Sequence, residues 1–192
     1  MVGRLLERIK RHCLLSSEAE AAIGNSFQMQ AAPKKQMILR TNSYCSTIHF
    51  VASGCLRMFY IDDKGAEQTI QFALENWWMT DHEAFNKGSK SSFSIQAIED
   101  TTLMVISKKD LDLLLEHFPE LEKYFRRIYE RAYSASLFRM MFMRLSKDES
   151  YSLFCERYPA FVQRIPQKLL ASFLGFTPEY LSELRKKKSG NK

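Results

Sequence analysis

The chain has 192 residues, of which 45% are hydrophobic and 26% are charged, so it can form a core and is not of the disordered class. No apolar run approaches the roughly 18 residues that a membrane span needs, and the first residues lack the pattern of a signal peptide. Seven Gly and five Pro also exclude linker-rich and collagen-like architectures. We therefore expect a globular protein of the cytoplasm, with no membrane partner.

The net charge of +6 is unevenly distributed along the chain. Residues 119–192 hold 15 of the 28 Lys and Arg but only 8 of the 22 Asp and Glu, whereas residues 1–118 are almost neutral. All of the excess positive charge thus lies in the last two-fifths of the sequence. This asymmetry predicts an anionic partner for the C-terminal part, either nucleic acid or a membrane surface.

The cysteines and histidines are too dispersed to indicate a metal site or a disulfide framework. They are Cys13, Cys45, Cys55 and Cys155, with His12, His49, His82 and His117. We expect reduced thiols and no metal. Because no Ser-His-Asp, Cys-His, paired-carboxylate or phosphate-loop arrangement is visible either, the sequence does not indicate an enzyme.

The first part of the chain changes from a helical to a strand-like pattern. Residues 4–23 predict one or two short amphipathic helices. From about residue 33 to residue 107, β-branched and aromatic runs alternate with turn formers, with an irregular stretch at residues 77–92. The predicted strands lie at residues 47–51, 56–61, 67–72, 93–98 and 102–106, and residues 62–65 form a hairpin turn. Many short strands at this spacing predict a double-stranded β-helix, or jelly roll.

Beyond Ser107 the pattern is helical. A short helix at residues 109–117 precedes Pro119, which is well placed to open a long helix that runs to Leu145. Apolar residues at three- and four-residue steps favour a coiled-coil-like seam with a second copy over packing against the β-domain alone. Arg139 interrupts the stripe, so the seam is expected to splay or shift face there. The predicted dimer contacts are Leu121, Phe125, Ile128, Ala132 and Ala135.

Two further helical segments follow the long helix. Ser146 and Glu149 have the spacing of a capping box, which predicts a helix from there to about Arg157. Tyr158 and Pro159 end that helix, and another begins at Pro166.

Residues 167–187 have the pattern of a helix-turn-helix. Ala171 permits a close approach of two helices, and Gly175 stands at the turn, where positive φ is usual. Thr177 is the expected cap of the second helix, with Pro178 at its first position. The alternative is an ordinary helical hairpin, which accounts less well for the fact that all of these residues fit a helix-turn-helix together. The expected shared core consists of Leu170, Leu174, Phe176, Leu181 and Leu184.

A helix-turn-helix places its second helix in the major groove, where side chains at the front of the helix meet base edges. Glu179 or Glu183 is suited to accept from cytosine, and Ser182 is suited to several bases. Basic side chains beside the turn are suited to phosphates. The candidate DNA-binding residues are Gln167, Lys168, Thr177, Pro178, Glu179, Tyr180, Ser182, Glu183, Arg185, Lys186, Lys187 and Lys188.

The order of these elements resembles the cyclic-AMP-receptor/fumarate-nitrate-regulator (Crp/Fnr) family of bacterial transcription factors over essentially the whole chain. Residues 51–60 and 63–72 are similar to the family's strand–Gly–strand segment and its next hairpin. Residues 146–188 are similar to the branch common in Bacteroidetes-type bacteria. The resemblance implies an α+β chain with a cyclic-nucleotide-binding-like β-roll, a dimerisation helix and an all-α helix-turn-helix domain. It also implies a homodimer that binds double-stranded DNA and contacts RNA polymerase.

The sequence departs from the family in the phosphate cassette. Members that bind cyclic nucleotides have Phe-x-Gly-Glu and then Arg-Ser or Arg-Thr, whose Arg pairs with the cyclic phosphate. In this register Thr80 replaces the Gly, Asp81 replaces the Glu and Ser91 replaces the Arg. We therefore expect no binding of cyclic AMP or cyclic GMP. Lys87 and Lys90 lie nearby, but a flexible point charge substitutes poorly for a guanidinium.

Other effectors follow less directly from the sequence. An iron–sulfur cluster needs clustered N-terminal cysteines, and only Cys13 lies in that region. Haem on a dispersed histidine and an unidentified small molecule are the remaining alternatives, so no cofactor is assigned. Trp77, Trp78, Phe85 and Phe93 line a candidate pocket or, more simply, fill the roll. The candidate effector residues are Trp78, Thr80, Asp81, Phe85, Ser91 and Ser92.

The sequence thus predicts three regions: a sensor domain at residues 1–118, a dimerisation helix at residues 119–145 and a DNA-binding domain at residues 146–192. The predicted function is a sequence-specific transcription regulator that does not respond to cyclic AMP. The alternative is a ligand-binding or protein-interaction β-roll with a vestigial DNA-binding head.

Overall fold

A computed structural model describes residues 1–189, with side chains as far as Lys187. In this part of the chain the strands are β1 (Gln28–Ala32), β2 (Met37–Leu39), β3 (Thr47–Ser53), β4 (Leu56–Ile61), β5 (Glu67–Ala73), β6 (Trp78–Met79), β7 (Ser94–Ala97) and β8 (Thr101–Ser107). The helices are α1 (Val2–Lys10), α2 (Ser17–Ser26), α3 (His82–Lys87), α4 (Lys108–His117), α5 (Glu120–Phe142), α6 (Lys147–Arg157), α7 (Pro159–Arg164), α8 (Gln167–Leu174) and α9 (Pro178–Ser189).

The strands form two four-stranded sheets, ordered β1-β8-β3-β6 and β2-β7-β4-β5. The β3–β8 pair is antiparallel, with Ile48 opposite Ile106 and Phe50 opposite Met104. These four side chains are buried and share the main core with residues of helices α1, α2, α4 and α5. Alternation along β3 turns the next side chains to the opposite face of the sheet. The predicted mixed fold, a jelly roll followed by helices, is confirmed.

The chain divides into two compact units. The first unit contains Met1–Tyr60 and Gln71–Glu130, and the second contains Ile61–Ile70 together with the chain from Arg131 onward. The second unit therefore holds the hairpin tip between β4 and β5 as well as helices α6 to α9. Within residues 1–189, no helix is both long and apolar enough to cross a bilayer.

The core of the first unit is centred on Trp78. Its indole Nε1 donates to the hydroxyl of Tyr124 at 2.8 Å, and its ring lies 5.3 Å from those of Phe50 and Phe125. Leu121 and Phe125 are 0% and 3% exposed in this same core. Their assignment to a seam with a second copy is wrong, because both side chains are already packed inside their own chain.

Gly54 permits a close approach between the β3–β4 turn and β8. Its φ is +96°, and a Cβ at this position would lie 2.6 Å from the Cα of Thr101 and 2.8 Å from the carbonyl oxygen of Asp100. Because both of these are backbone atoms, any larger residue forces the turn and the strand apart. The strand–Gly–strand pattern in the sequence therefore has a steric cause.

The structure also contains elements that the sequence pattern did not reveal. The stretch at residues 77–92, expected to be irregular, holds strand β6 and helix α3. Asp81 caps α3 by accepting from the amide of Ala84, and Gly88 ends the helix with a φ of +60°. Helix α7 was missed as well. These elements are two to six residues long, and so short a segment does not display a hydrophobic period.

Local predictions based on neighbouring residues are confirmed. The Asp62 side chain accepts from the amides of Lys64 and Ala66 in the hairpin turn, where Gly65 has a φ of +78°. Ser146 and Glu149 form both bonds of the capping box at the start of α6. The long helix α5 begins just after Pro119 and ends at Phe142, three residues before the predicted end.

His49 gives the fold an expected pH dependence. Burial lowers its pKa from 6.5 to about 4, and its Nδ1 lies 3.3 Å from the carbonyl oxygen of Met79. The unfolded chain binds this proton more readily than the folded chain does. The contribution of neutral His49 to the free energy of unfolding is therefore fully present above pH 6.5 and is lost as the pH falls toward 4. The loss amounts to about 3 kcal/mol.

The test is urea unfolding of the parent chain and of His49→Gln between pH 7 and pH 4. We expect the variant to have a shallower decline in the free energy of unfolding, even if its stability at pH 7 is lower. Parallel declines in the two proteins would contradict this assignment.

Candidate functional site

Helices α8 and α9 are joined by the sharp turn that the sequence predicts. Gly175 has a φ of +73°, and the amide of Phe176 donates to the carbonyl of Ala171 at 2.9 Å. This is the bond that closes a Schellman motif at a helix end. Thr177 then caps α9 by accepting from the amide of Tyr180 at 3.2 Å, and Pro178 is the first residue of α9. The predicted roles of these turn residues are confirmed.

One side of α9 is buried and the other is exposed. Leu181 and Leu184 pack with Leu170 and Ala171 of α8 in a small core, whereas Leu174 and Phe176 are only half-buried at its margin. At 100° per residue, five positions between Pro178 and Lys186 lie within an arc of about 140° that faces away from that core. These positions are Pro178, Glu179, Ser182, Glu183 and Lys186, of which Ser182 is half-buried and the others are exposed.

Four other candidate DNA-binding residues form hydrogen bonds within the helical C-terminal region, residues 146–187. The Gln167 amide donates to the carbonyl of Pro178 at 3.2 Å, and an Arg185 guanidinium nitrogen donates to the carbonyl of Val162 at 3.2 Å. Tyr180 lies with its hydroxyl 3.4 Å from a carboxylate oxygen of Asp148, and Thr177 is the cap described above. These four residues position α8 and α9. Lys168 and Lys187 are exposed, and the side chain of Lys188 lies outside the described residues.

The sequence did not reveal how α8 contacts the hairpin tip at residues 61–70. The Ser172 hydroxyl donates to the carbonyl of Glu67 at 3.0 Å and accepts from the amide of Thr69 at 2.9 Å. Arg139 donates to the carbonyls of Thr69 and Phe173, both at 3.2 Å. Arg139 thus joins three segments of the second unit. In the sequence, the only sign of this contact was that Arg139 interrupts the apolar stripe of the long helix.

The residues that replace the phosphate cassette bond to one another. The Ser91 hydroxyl donates to Asp81 at 2.7 Å, and the same carboxylate caps α3. The Thr80 hydroxyl donates to the carbonyl of Thr47 at 2.9 Å and lies 3.2 Å from the sulfur of Cys45. Thr80, Asp81 and Ser91 are all at most 6% exposed. These three buried residues thus include no cation that could pair with a phosphate.

The other candidate effector residues do not join this cluster. Trp78 and Phe85 lie in the main core, which supports the simpler interpretation that these aromatics fill the roll, and Ser92 is exposed. The nearby Lys87 forms an ion pair with Glu83 at 2.7 Å, and the Lys90 ammonium lies 5.9 Å from the Tyr44 ring. Within residues 1–189, no group of three His, Cys, Asp or Glu side chains is placed to hold a metal.

The second half of α5 presents an exposed apolar stripe. Its large members, Tyr133, Leu137 and Met140, are 67%, 48% and 60% exposed, and Ser136 lies between them. Of the predicted dimer contacts, Ala132 and Ala135 are exposed as well, and Ile128 packs against the main core. At 100° per residue, the centre of the exposed stripe lies about 140° around the helix axis from the centre of the face that carries the two alanines.

The first part of the chain is similar to a known protein family. Residues 29–118 match the model of the family described as "Cyclic nucleotide-binding domain". The sheets of the β-roll therefore have the fold of that domain. No curated protein matches the sequence.

Solved structures extend the likeness beyond the cyclic nucleotide-binding-type domain. FixK2 from Bradyrhizobium japonicum aligns with a TM-score of 0.74 and 14% identity, over 86% of this chain and 85% of FixK2. The c-di-GMP responsive global regulator CLP from Xanthomonas campestris aligns at 0.69 and 13% identity, over 92% and 93% of the two chains. A Crp/Fnr-family protein from Eubacterium rectale aligns at 0.69 and 17%, over 92% and 85%. These likenesses establish the fold.

Proposed function

We propose that this chain is a transcription regulator of the Crp/Fnr type, in the Bacteroidetes-type branch, that binds double-stranded DNA as a homodimer. In this proposal residues 1–118 are the sensor domain, residues 119–145 the dimerisation helix and residues 146–192 the DNA-binding domain. RNA polymerase is the expected protein partner, and we assign the chain no catalytic role. The solved structures of similar fold include transcription regulators, which supports a regulatory role.

The observation that carries the proposal is the exposed polar face of α9. Leu181 and Leu184 hold the opposite side of α9 against α8, so Pro178, Glu179 and Ser182 remain at the front of an exposed helix. Recognition helices meet base edges with their N-terminal residues. Glu179 and Glu183 favour contacts with cytosine amino groups, whereas Lys168, Lys186 and Lys187 favour phosphates.

A dimer would give this face its specificity. Two recognition helices related by a twofold axis reach successive major grooves when they are about 34 Å apart. The exposed stripe at Tyr133, Leu137 and Met140 offers an apolar surface for the second copy. We therefore expect a near-palindromic operator with half-sites one helical turn apart.

The defining experiment is selection of duplexes from random sequence with the full chain, followed by electrophoretic shift. We expect enrichment of a near-palindromic site, and loss of its binding when residues 167–192 are deleted, with the dimer retained. Sequence-specific binding by the deletion variant would reject the proposal. A salt-sensitive shift with no sequence preference would favour the alternative, a β-roll module with a vestigial head.

Lys186 and Lys187 provide a finer measurement. Replacing both with Ala is expected to weaken binding to all duplexes alike and to reduce the slope of log K against log salt by about 0.9 for each phosphate that the protein no longer neutralises. The control is Lys109→Ala, which removes an exposed lysine at the start of α4. An unchanged slope in the double variant would contradict a phosphate role for these two lysines.

We also propose that cyclic AMP and cyclic GMP are not effectors. Ser91 already donates to Asp81, so the position that would hold the phosphate-binding Arg contributes no cation. Isothermal titration calorimetry is expected to detect no binding of either nucleotide at micromolar concentrations. A micromolar dissociation constant would refute this part of the proposal.

A further inference from the structure

Helix α1 lines a polar cavity that lies apart from the cassette residues. Arg4, Arg8 and Arg11 are spaced four and three residues apart, which places them on one face of the helix end. Glu7 and Asn76 complete the lining, and the cavity has a volume of about 160 Å³. The arginine face is anchored from behind, because Leu5 and Ile9 are buried in the main core.

The surroundings of Arg4 and Arg8 favour the binding of an anion. A terminal nitrogen of Arg4 donates to the carbonyl of Ala52 at 2.8 Å, which orients that guanidinium. The Nε of Arg8 is buried and has no hydrogen-bond partner in the structure. A buried charged donor without an acceptor is costly, and an anion in the adjacent cavity would supply acceptors after a small rotation of the Arg8 side chain.

The charge of the cavity indicates the class of ligand. Three arginines and Glu7 sum to +2, and like charges three and four residues apart repel one another along a helix. A phosphate monoester carries about −1.5 to −2 at pH 7 and offers three strong acceptor oxygens. A guanidinium fork matches such a group better than an ammonium does.

The volume limits the ligand further. The cavity volume is only about 160 Å³. Pockets for drug-sized ligands are usually about 300 Å³ or larger. We propose that this cavity binds the phosphoryl group of a small phosphorylated metabolite, with Arg8 and Arg11 as the binding cations and Arg4 as the oriented third.

The test is calorimetric titration of the full chain at fixed ionic strength, with inorganic phosphate, ribose 5-phosphate and sulfate as probes. We expect Arg8→Gln and Arg11→Gln to weaken phosphate binding at least tenfold. Glu7→Gln is expected to strengthen it about threefold or more, because it removes the one negative charge of the lining. Lys10→Gln, which alters an α1 lysine paired with Glu20 at 2.7 Å, is the control and should leave affinity unchanged.

The probes distinguish the source of the phosphoryl group. Tighter binding of ribose 5-phosphate than of inorganic phosphate supports a metabolite, as proposed. Preference for inorganic phosphate would replace the metabolite with the free ion and overturn that part of the assignment. No binding by the parent chain, or equal affinities in all four variants, would overturn the site altogether. None of these outcomes depends on DNA binding.

Discussion

If the proposed dimer forms through α5, replacing Leu137 with Glu is expected to convert it to a monomer and to lower its affinity for a palindromic duplex about 100-fold or more. The side chain lies on the exposed apolar stripe of α5 with Tyr133 and Met140. At a twofold seam the substitution introduces two charges, and each buried charge without a partner costs several kcal/mol. Sedimentation equilibrium measures the assembly, and electrophoretic shift measures the affinity.

The matched control is Ala135→Glu, which places the same charge on the same turn of α5. Ala135 is exposed but belongs to the face predicted from the sequence, and it lies about 160° around the helix axis from Leu137. We expect this variant to remain a dimer. A monomeric Ala135→Glu variant together with a dimeric Leu137→Glu variant would return the seam to the face with Ala132 and Ala135.

Replacing Phe154 with Ala is expected to unfold the helical part of the second unit near physiological temperature and with it to abolish the proposed DNA binding. Phe154 is 2% exposed, and its ring centroid lies within 6.4 Å of four other aromatic rings. These rings belong to Phe142, Tyr158, Phe161 and Phe173. Large-to-small changes at buried Phe residues typically cost about 3–5 kcal/mol. That is a large part of the stability of a small helical domain.

The two tryptophans allow this prediction to be resolved by unit. Trp77 and Trp78 both lie in the first unit, so their fluorescence reports unfolding of the β-roll, while far-ultraviolet circular dichroism reports mainly helices. We expect Phe154→Ala to lower the circular dichroism midpoint in urea and to leave the fluorescence midpoint nearly unchanged. The control is Glu156→Ala, an exposed change on the same helix. A fluorescence midpoint that falls as much as the circular dichroism midpoint would contradict a local effect.

The candidate DNA-binding face was predictable because it depends on residues that are close in sequence. Gly175 permits the left-handed turn, Thr177 and Pro178 start the next helix, and Leu181 and Leu184 define its buried side. Spacing alone could not show that Gln167 and Arg185 also bond to carbonyls of Pro178 and Val162, and their contacts with DNA stay a prediction.

The sensor region illustrates the opposite case. The substitutions at Thr80, Asp81 and Ser91 were visible in the sequence, and they sufficed to predict the missing cation. The bond between Asp81 and Ser91 was not visible, since it joins residues separated by α3, a helix that the pattern did not reveal. Nor could the pattern indicate the arginine cavity, because Asn76 comes from a distant loop.

Caps, turns and strand alternation could be derived from the residues because hydrogen bonds and φ preferences act over three or four positions. The Ser146 capping box, the Asp62 turn and the break at Gly175 all belong to this group. Apolar side chains that recur at helical spacing can pack either in the core of their own chain or against a partner, and their hydrophobicity does not show which of these surfaces they meet. Folding placed Leu121 and Phe125 inside and left Leu137 and Met140 outside, because the sheets and helices that cover a residue come from distant parts of the chain.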